Sequence, residues 1–133
     1  MEWTKYYDSE NDDPVVALIL AIEYGDWKSV QALVPLQENI NARDSEGDWT
    51  PLMYAALEES LDTVKLLVEA DADPNLRGTF EPDCEFPLNI AALNCNQSVF
   101  NSHAYARNKA IFDYLALLTL PKLRAIAQKN LRD

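Results

Sequence analysis

The side chains able to do chemistry in this chain are few, and their spacing does not favour catalysis. His103 is its one histidine, and Cys84 and Cys95 are its two cysteines. A metal centre or a Cys–His pair would have to be assembled from these three. Metal sites need three or four ligands at close spacing, and neither CxxC nor HExxH occurs. His103 is read as an ordinary loop histidine, and no metal or cofactor is expected. The three glycines, Gly25, Gly47 and Gly78, stand alone, so there is no GxGxxG or GxxxxGK[ST] to cradle a phosphate. GxSxG is also absent. Carboxylate pairs such as Glu58-Glu59 and Asp12-Asp13 are frequent, but neighbouring helix residues point apart. A glycosidase-like pair needs two carboxylates opposed across a cleft. No catalytic residue is assigned, and the chain is not expected to be an enzyme.

Charge says more about partners. The 133 residues carry 22 Asp and Glu against 11 Lys and Arg, a formal net charge of −11. Residues 1–106 hold 20 acids and 5 bases, net −15, whereas residues 107–133 hold 6 bases and 2 acids, net +4. So acidic a body repels a phosphate backbone, which excludes direct nucleic-acid binding. It equally excludes docking on an anionic membrane through a basic patch. The longest apolar run, Val15 to Ile22, falls far short of the roughly 20 residues that span a bilayer. Met1-Glu2-Trp3-Thr4-Lys5 does not open a secretory signal. Two cysteines outside any pairing motif read as reduced thiols in a cytoplasmic protein. A partner that docks on the body should be basic, and its approach salt-sensitive.

The length suits one domain, and 48% apolar residues suffice for a core. That domain is built from repeats. Leu18, Ala21, Val30, Leu33, Val34 and Asn41 recur unchanged 34 residues later as Leu52, Ala55, Val64, Leu67, Val68 and Asn75. Pro51-Leu52-Met53-Tyr54-Ala55-Ala56 returns 36 residues on as Pro87-Leu88-Asn89-Ile90-Ala91-Ala92. A second half resumes at Ile111, Tyr114 and Leu115, which are 47 after Val64, Leu67 and Val68. The difference marks an insertion over residues 96–106.

Within a repeat the pattern is helical. Thr50 suits an N-cap and Pro51 the first helical position, since proline lacks an N–H that would be unsatisfied there. Leu52, Ala55 and Ala56 share one face. A second helix runs from about Asp62 to Glu69, capped by Ser60, with Val64, Leu67 and Val68 inward. Asp13-Pro14 and Asp26 carry the same signals one repeat earlier.

Thr50-Pro51-Leu52-Met53-Tyr54-Ala55-Ala56, followed by Val64-Lys65-Leu66-Leu67-Val68-Glu69-Ala70-Asp71-Ala72-Asp73-Pro74-Asn75, resembles an ankyrin repeat. The resemblance implies an all-α solenoid of stacked helix–turn–helix pairs. Its repeats cover about 14–44, 45–78 and 79–118, with the insertion in the third, and a capping helix covers about 121–131. Trp3, Tyr6 and Tyr7 would cover the first pair. In the last helix Leu123, Ile126, Ala127 and Leu131 would share one face, with Lys122, Arg124, Lys129 and Arg132 elsewhere. Three departures stand out. Met53 and Asn89 replace the usual loop-bridging histidine, Glu59 replaces a turn glycine, and Phe86 replaces a threonine cap. A positive φ at Glu59 would be strained.

In that family the links between repeats form fingers that line a concave protein-binding surface with the first helix of each repeat. Carried over, the surface comprises Glu23, Tyr24, Ser45, Glu46, Asp48, Trp49, Leu57, Glu58, Glu81, Asp83, Leu93 and Asn94. Acids interleaved with aromatics in the links suit a protein interface. Two readings of Trp49, Phe80 and Phe86 stay open: anchors for a partner, or side chains folded into the core. The insertion, with Phe100 and Tyr105, reads as a loop that either sets specificity or is merely tolerated. The expectation is a non-catalytic module, monomeric when free, that binds a basic protein partner and acts as a stoichiometric inhibitor. A toxin-neutralising immunity protein or antitoxin is the narrower alternative, and a nucleic-acid mimic the other.

Overall fold

The computed structural model describes residues 13–44 and 48–131. Seven α-helices are found among them: α1 (Pro14–Glu23), α2 (Trp27–Leu33), α3 (Pro51–Leu57), α4 (Leu61–Glu69), α5 (Pro87–Gln97), α6 (Ser102–Ala116) and α7 (Pro121–Asn130). Their starts follow the local chemistry. Asp13, Asp26, Thr50 and Ser60 each cap a helix by accepting a hydrogen bond from a backbone N–H of its first turn. Phe86 stands at the N-cap of α5 without a side-chain cap, and proline opens α1, α3, α5 and α7.

The helices stack in two rows. α1, α3, α5 and α7 pack one on the next as an inner row, and α2, α4 and α6 form an outer row behind them. Small side chains at the inner contacts allow this spacing: Ala17, Ala21, Ala55, Ala56, Ala91, Ala92 and Ala127 are all buried. One continuous core then runs from Leu18 through Leu52, Leu67 and Leu88 to Leu115 and Leu123.

Two asparagines tie successive repeats. Asn41 accepts from Asp73 N at 2.7 Å and donates to Asp71 O at 3.4 Å. Thirty-four residues on, Asn75 accepts from Leu120 N at 2.7 Å and donates to Leu118 O at 3.3 Å. Asn89 takes up the loop-bridging role expected of histidine, donating to Cys84 O at 3.0 Å and accepting from Asn130 Nδ2 at 2.9 Å. Met53 cannot do this and is instead fully buried.

The insertion is not a loop. α1 and α3 end at left-handed residues, Gly25 (φ 67°) and Glu59 (φ 64°), which reverse the chain. Cys95 occupies the corresponding place in the third repeat, 36 residues after Glu59, yet it is helical and α5 continues to Gln97. The added residues lengthen α5 and the start of α6, which has 15 residues where α4 has 9. Only a short turn, 98–101, joins the two, with Phe100 fully exposed at its tip and Tyr105 partly packed on the core. The register of α6 also differs from the expected one. Ile111, Phe112 and Leu115 face inward, whereas Tyr114 is only partly buried. α4 ends through a left-handed Asp71 (φ 72°), whereas α6 ends at Leu117 in the right-handed region.

Glu59 earns its strained backbone through its side chain. Its carboxylate accepts from the buried Asn108 Nδ2 at 2.7 Å and pairs with Arg107 at 3.4 Å, both on α6. A glycine could make neither contact. After the third repeat α7 buries Leu123 and Ala127 and partly buries Ile126 against the core, whereas Leu131, expected on the same helical face, lies in extended backbone just after α7 and is partly buried there. Trp3, Tyr6 and Tyr7 lie outside the described residues.

Candidate protein-binding groove

Each link between repeats is closed by one backbone hydrogen bond in the same place. Asp44 N donates to Trp49 O at 3.0 Å, and Gly78 N donates to Glu85 O at 2.7 Å. The second finger is therefore two residues longer. Gly78 permits this closure, since a Cβ there would lie 2.8 Å from Glu85 Cβ. An arginine at equivalent positions, Arg43 and Arg77, braces each finger. Arg43 donates to Asp48 O at 2.9 Å and to Arg77 O at 2.7 Å, and Arg77 pairs with Asp83 at 3.5 Å. Asp48 also accepts from Thr79 Oγ1, so the two fingers are bonded to each other.

Trp49 and Glu85 are the hinge of this arrangement. Trp49 Nε1 donates to the Glu85 carboxylate, which also accepts from Glu81 N at 2.6 Å. The indole ring lies 5.4 Å from the Tyr54 ring and packs on Met53, Ala56 and Ile90. Asp44 accepts from Trp49 N at 3.1 Å, which holds the backbone at that residue, and from the Tyr54 hydroxyl, which orients the phenol ring.

A groove of about 270 Å³ opens between the second finger and the ends of α3 and α5. Trp49, Leu57, Ile90 and Leu93 form its apolar floor, and Glu81, Cys84, Glu85, Asn94 and Gln97 its rim. Leu57 and Leu93 remain 42% and 41% exposed, so the floor is accessible. Of the twelve expected surface residues, Trp49, Leu57, Glu81, Leu93 and Asn94 converge here. Asn94 also has a structural task, since its amide donates to Ala56 O at 3.0 Å and to Leu57 O at 3.2 Å.

Glu23, Tyr24 and Glu58 gather elsewhere, in a cleft of about 260 Å³ beside the helix turns. Burial, together with the carboxylates of Glu23 and Glu59, holds the Glu58 carboxyl above its ordinary range. Asp48 and Asp83 lie on the fingers and face Arg43 and Arg77. Ser45 and Glu46 lie outside the described residues. The three link aromatics part company: Phe86 is fully buried, Trp49 is half-buried at the groove, and Phe80 is 73% exposed.

Sequence reasoning missed Glu85, Cys84, Ile90 and Gln97. The signal for Glu85 was its place beside Phe86 at the base of the second finger, in register with Trp49. His103 is exposed near the start of α6, Cys84 is exposed and Cys95 buried. Among the described residues no group of three or more His, Cys, Asp or Glu is placed to hold a metal ion. Nor is any described helix long and apolar enough to cross a membrane.

Stacked helix pairs with finger links define a repeat solenoid, a class of fold built for protein–protein interaction. Residues 5–78, more than half of the chain, match the family described as ankyrin repeats (3 copies), and the chain belongs to that family. Over 60 residues it is 42% identical to the 2-5A-dependent ribonuclease of Homo sapiens, a stretch that covers 45% of this chain and 8% of that protein. The chain thus spans less than a tenth of that relative's length. Ankyrin repeats are protein–protein interaction modules, generally without catalytic activity.

Proposed function

We propose that the groove between the second finger and α3 and α5 binds a segment of a basic protein partner. The observation that carries this reading is an accessible apolar floor bounded on one wall by Glu81 and Glu85. An apolar side chain of the partner sits against Trp49, Leu57 and Leu93, and a Lys or Arg beside it meets Glu81. The net charge of −15 over residues 1–106 speeds the encounter, which suits a protein that must capture its target quickly. We read the role as stoichiometric inhibition in the cytoplasm by a non-catalytic monomer. A toxin-neutralising immunity protein or antitoxin is its narrower form. A nucleic-acid mimic would present free rows of carboxylates, and the turning of Asp48 and Asp83 toward Arg43 and Arg77 argues against it.

The test is affinity capture from native lysate at low salt, with the wild-type chain and a Glu81→Lys, Leu93→Glu variant as parallel baits. Both positions are exposed, so the variant should keep its helical circular dichroism. A basic protein held by the wild type, released by salt and lost from the variant supports the reading. Retention with unchanged salt dependence by the folded variant overturns it. If the captured protein is an enzyme, its activity should fall linearly to zero at one equivalent, and added DNA should not displace it.

A further inference from the structure

The far end of the array carries a second groove, of opposite sign and independent of the first. α7 occupies the next inner position after α5, and it packs there as α5 packs on α3. In each earlier repeat an outer helix lies against the inner one: α2 on α1, α4 on α3, α6 on α5. Among the described residues no outer helix lies against α7. A groove of about 620 Å³ stands in that position.

Its walls have the form of a helix seat. Lys109, Phe112, Asp113 and Ala116 give one stripe of α6 at helical spacing, continued by Leu117 at its C-cap. Arg124 and Gln128 of α7, with Leu131 in extended backbone just after it, give the facing wall. Tyr114, round the helix from the first stripe, lies under Lys65 of α4 at 5.7 Å, so the stripe faces away from α4 toward the next position. Phe112 is the buried floor, and Leu117 is 82% exposed at the edge.

Charge selects the occupant. Residues 102–131 hold Arg107, Lys109, Lys122, Arg124 and Lys129 against the single acid Asp113. Lys109 binds that acid at 2.8 Å, which leaves the α7 wall cationic. We propose that this groove is a docking site for an amphipathic helix of a partner protein, one that carries carboxylates beside its apolar stripe and takes the next outer position of the stack. The partner helix buries its apolar residues on Phe112, Ala116 and Leu117 and sets its acids against Arg124.

A labelled synthetic peptide copying Ser60–Asp71 is a suitable probe, because α4 is itself an outer helix with Asp62, Glu69 and Asp71 around Val64 and Leu67. The comparison peptide replaces these acids by Asn, Gln and Asn. Fluorescence anisotropy on the full chain should show saturable binding, about tenfold tighter for the acidic peptide at low salt and converging at high salt. Leu117→Lys and Arg124→Glu, which change exposed or half-exposed side chains, should abolish binding with the helical dichroism intact, whereas Trp49→Ala should retain it. Absence of saturable binding, equal affinity of the two peptides, or loss with Trp49→Ala overturns the proposal. So does a dimer in sedimentation that Leu117→Lys converts to monomer, since a second copy would then fill the groove.

Discussion

Glu59 offers a perturbation whose sign the structure decides. At a left-handed turn position glycine is ordinarily the better residue, because a side chain there costs about 1–2 kcal/mol. Glycine also loses about 0.4–1 kcal/mol through its greater freedom in the unfolded chain, so Glu59→Gly should gain about 0.5–1 kcal/mol from the backbone alone. Against this stands the side chain. The 2.7 Å bond from Asn108 joins a charged acceptor to a fully buried amide, an interaction worth about 1.5–3 kcal/mol. The Arg107 pair is half-exposed and adds about 0–1 kcal/mol. Asn108 keeps weaker partners in Ser98 Oγ at 3.3 Å and Asn94 O at 3.5 Å, and its Oδ1 has none. The balance is a net destabilisation of about 1 kcal/mol for Glu59→Gly. In an Asn108→Ala background only the half-exposed Arg107 pair still opposes the backbone gain, so the same change should lie between neutral and a stabilisation of about 1 kcal/mol. Urea unfolding followed by far-ultraviolet circular dichroism on the four proteins of the cycle measures both values. Stabilisation by Glu59→Gly of equal size in both backgrounds would refute the clamp.

Three further outcomes follow from the geometry. Asn75→Ala removes the bonds to Leu118 O and Leu120 N and should cost about 1–3 kcal/mol in urea unfolding, with the groove at Trp49 unaffected. Gly78→Ala places a Cβ 2.8 Å from Glu85 Cβ, so the second finger must shift, at a cost of about 1–3 kcal/mol. Tryptophan emission should move with it as the Trp49–Glu85 bond is disturbed. Burial, chiefly, pushes the Cys95 thiol up to about 11, so at mildly alkaline pH an aromatic disulfide reagent should titrate only the exposed Cys84 until the chain is unfolded. Because the unfolded thiol ionises first, near 9.0, stability from this group should be lost as pH rises from there toward 11, and Cys95→Ala should remove that part of the slope.

The features legible in the sequence were those that repeat or act within one turn. Thr50, Ser60, Asp26 and Asp13 cap helices through neighbours two or three residues away, so type and position suffice to find them. Leu52 and Leu67 are buried because their counterparts 34 residues away are buried too. The insertion was misread because a count of added residues does not say whether they enter a loop or a helix. With no left-handed residue at Cys95 to stop it, α5 absorbs the first of them, and Asn101 caps α6 early enough to absorb the rest. Phe80 and Phe86 show the same limit. They are alike in type and six residues apart, but one sits on a finger and the other at a helix start turned into the core. Glu85 was missed because its importance lies in Trp49, 36 residues away.

The finger charges bear on binding in two separable ways. Arg43 and Arg77 partly neutralise Asp48 and Asp83, so these acids hold the fingers in place before they can meet a partner. They still contribute to the field of the −15 body, which acts at the distances where encounter is decided. In the proposed groove, contact would be decided elsewhere, on Leu57, Leu93 and Trp49 with Glu81 at the rim. Neutralising acids remote from the groove should therefore slow association and flatten its salt dependence, because screening acts over about 10 Å at ordinary ionic strength. Altering Leu93 should instead hasten dissociation and leave the salt dependence unchanged. A single acidic surface that did both would not separate the two rates.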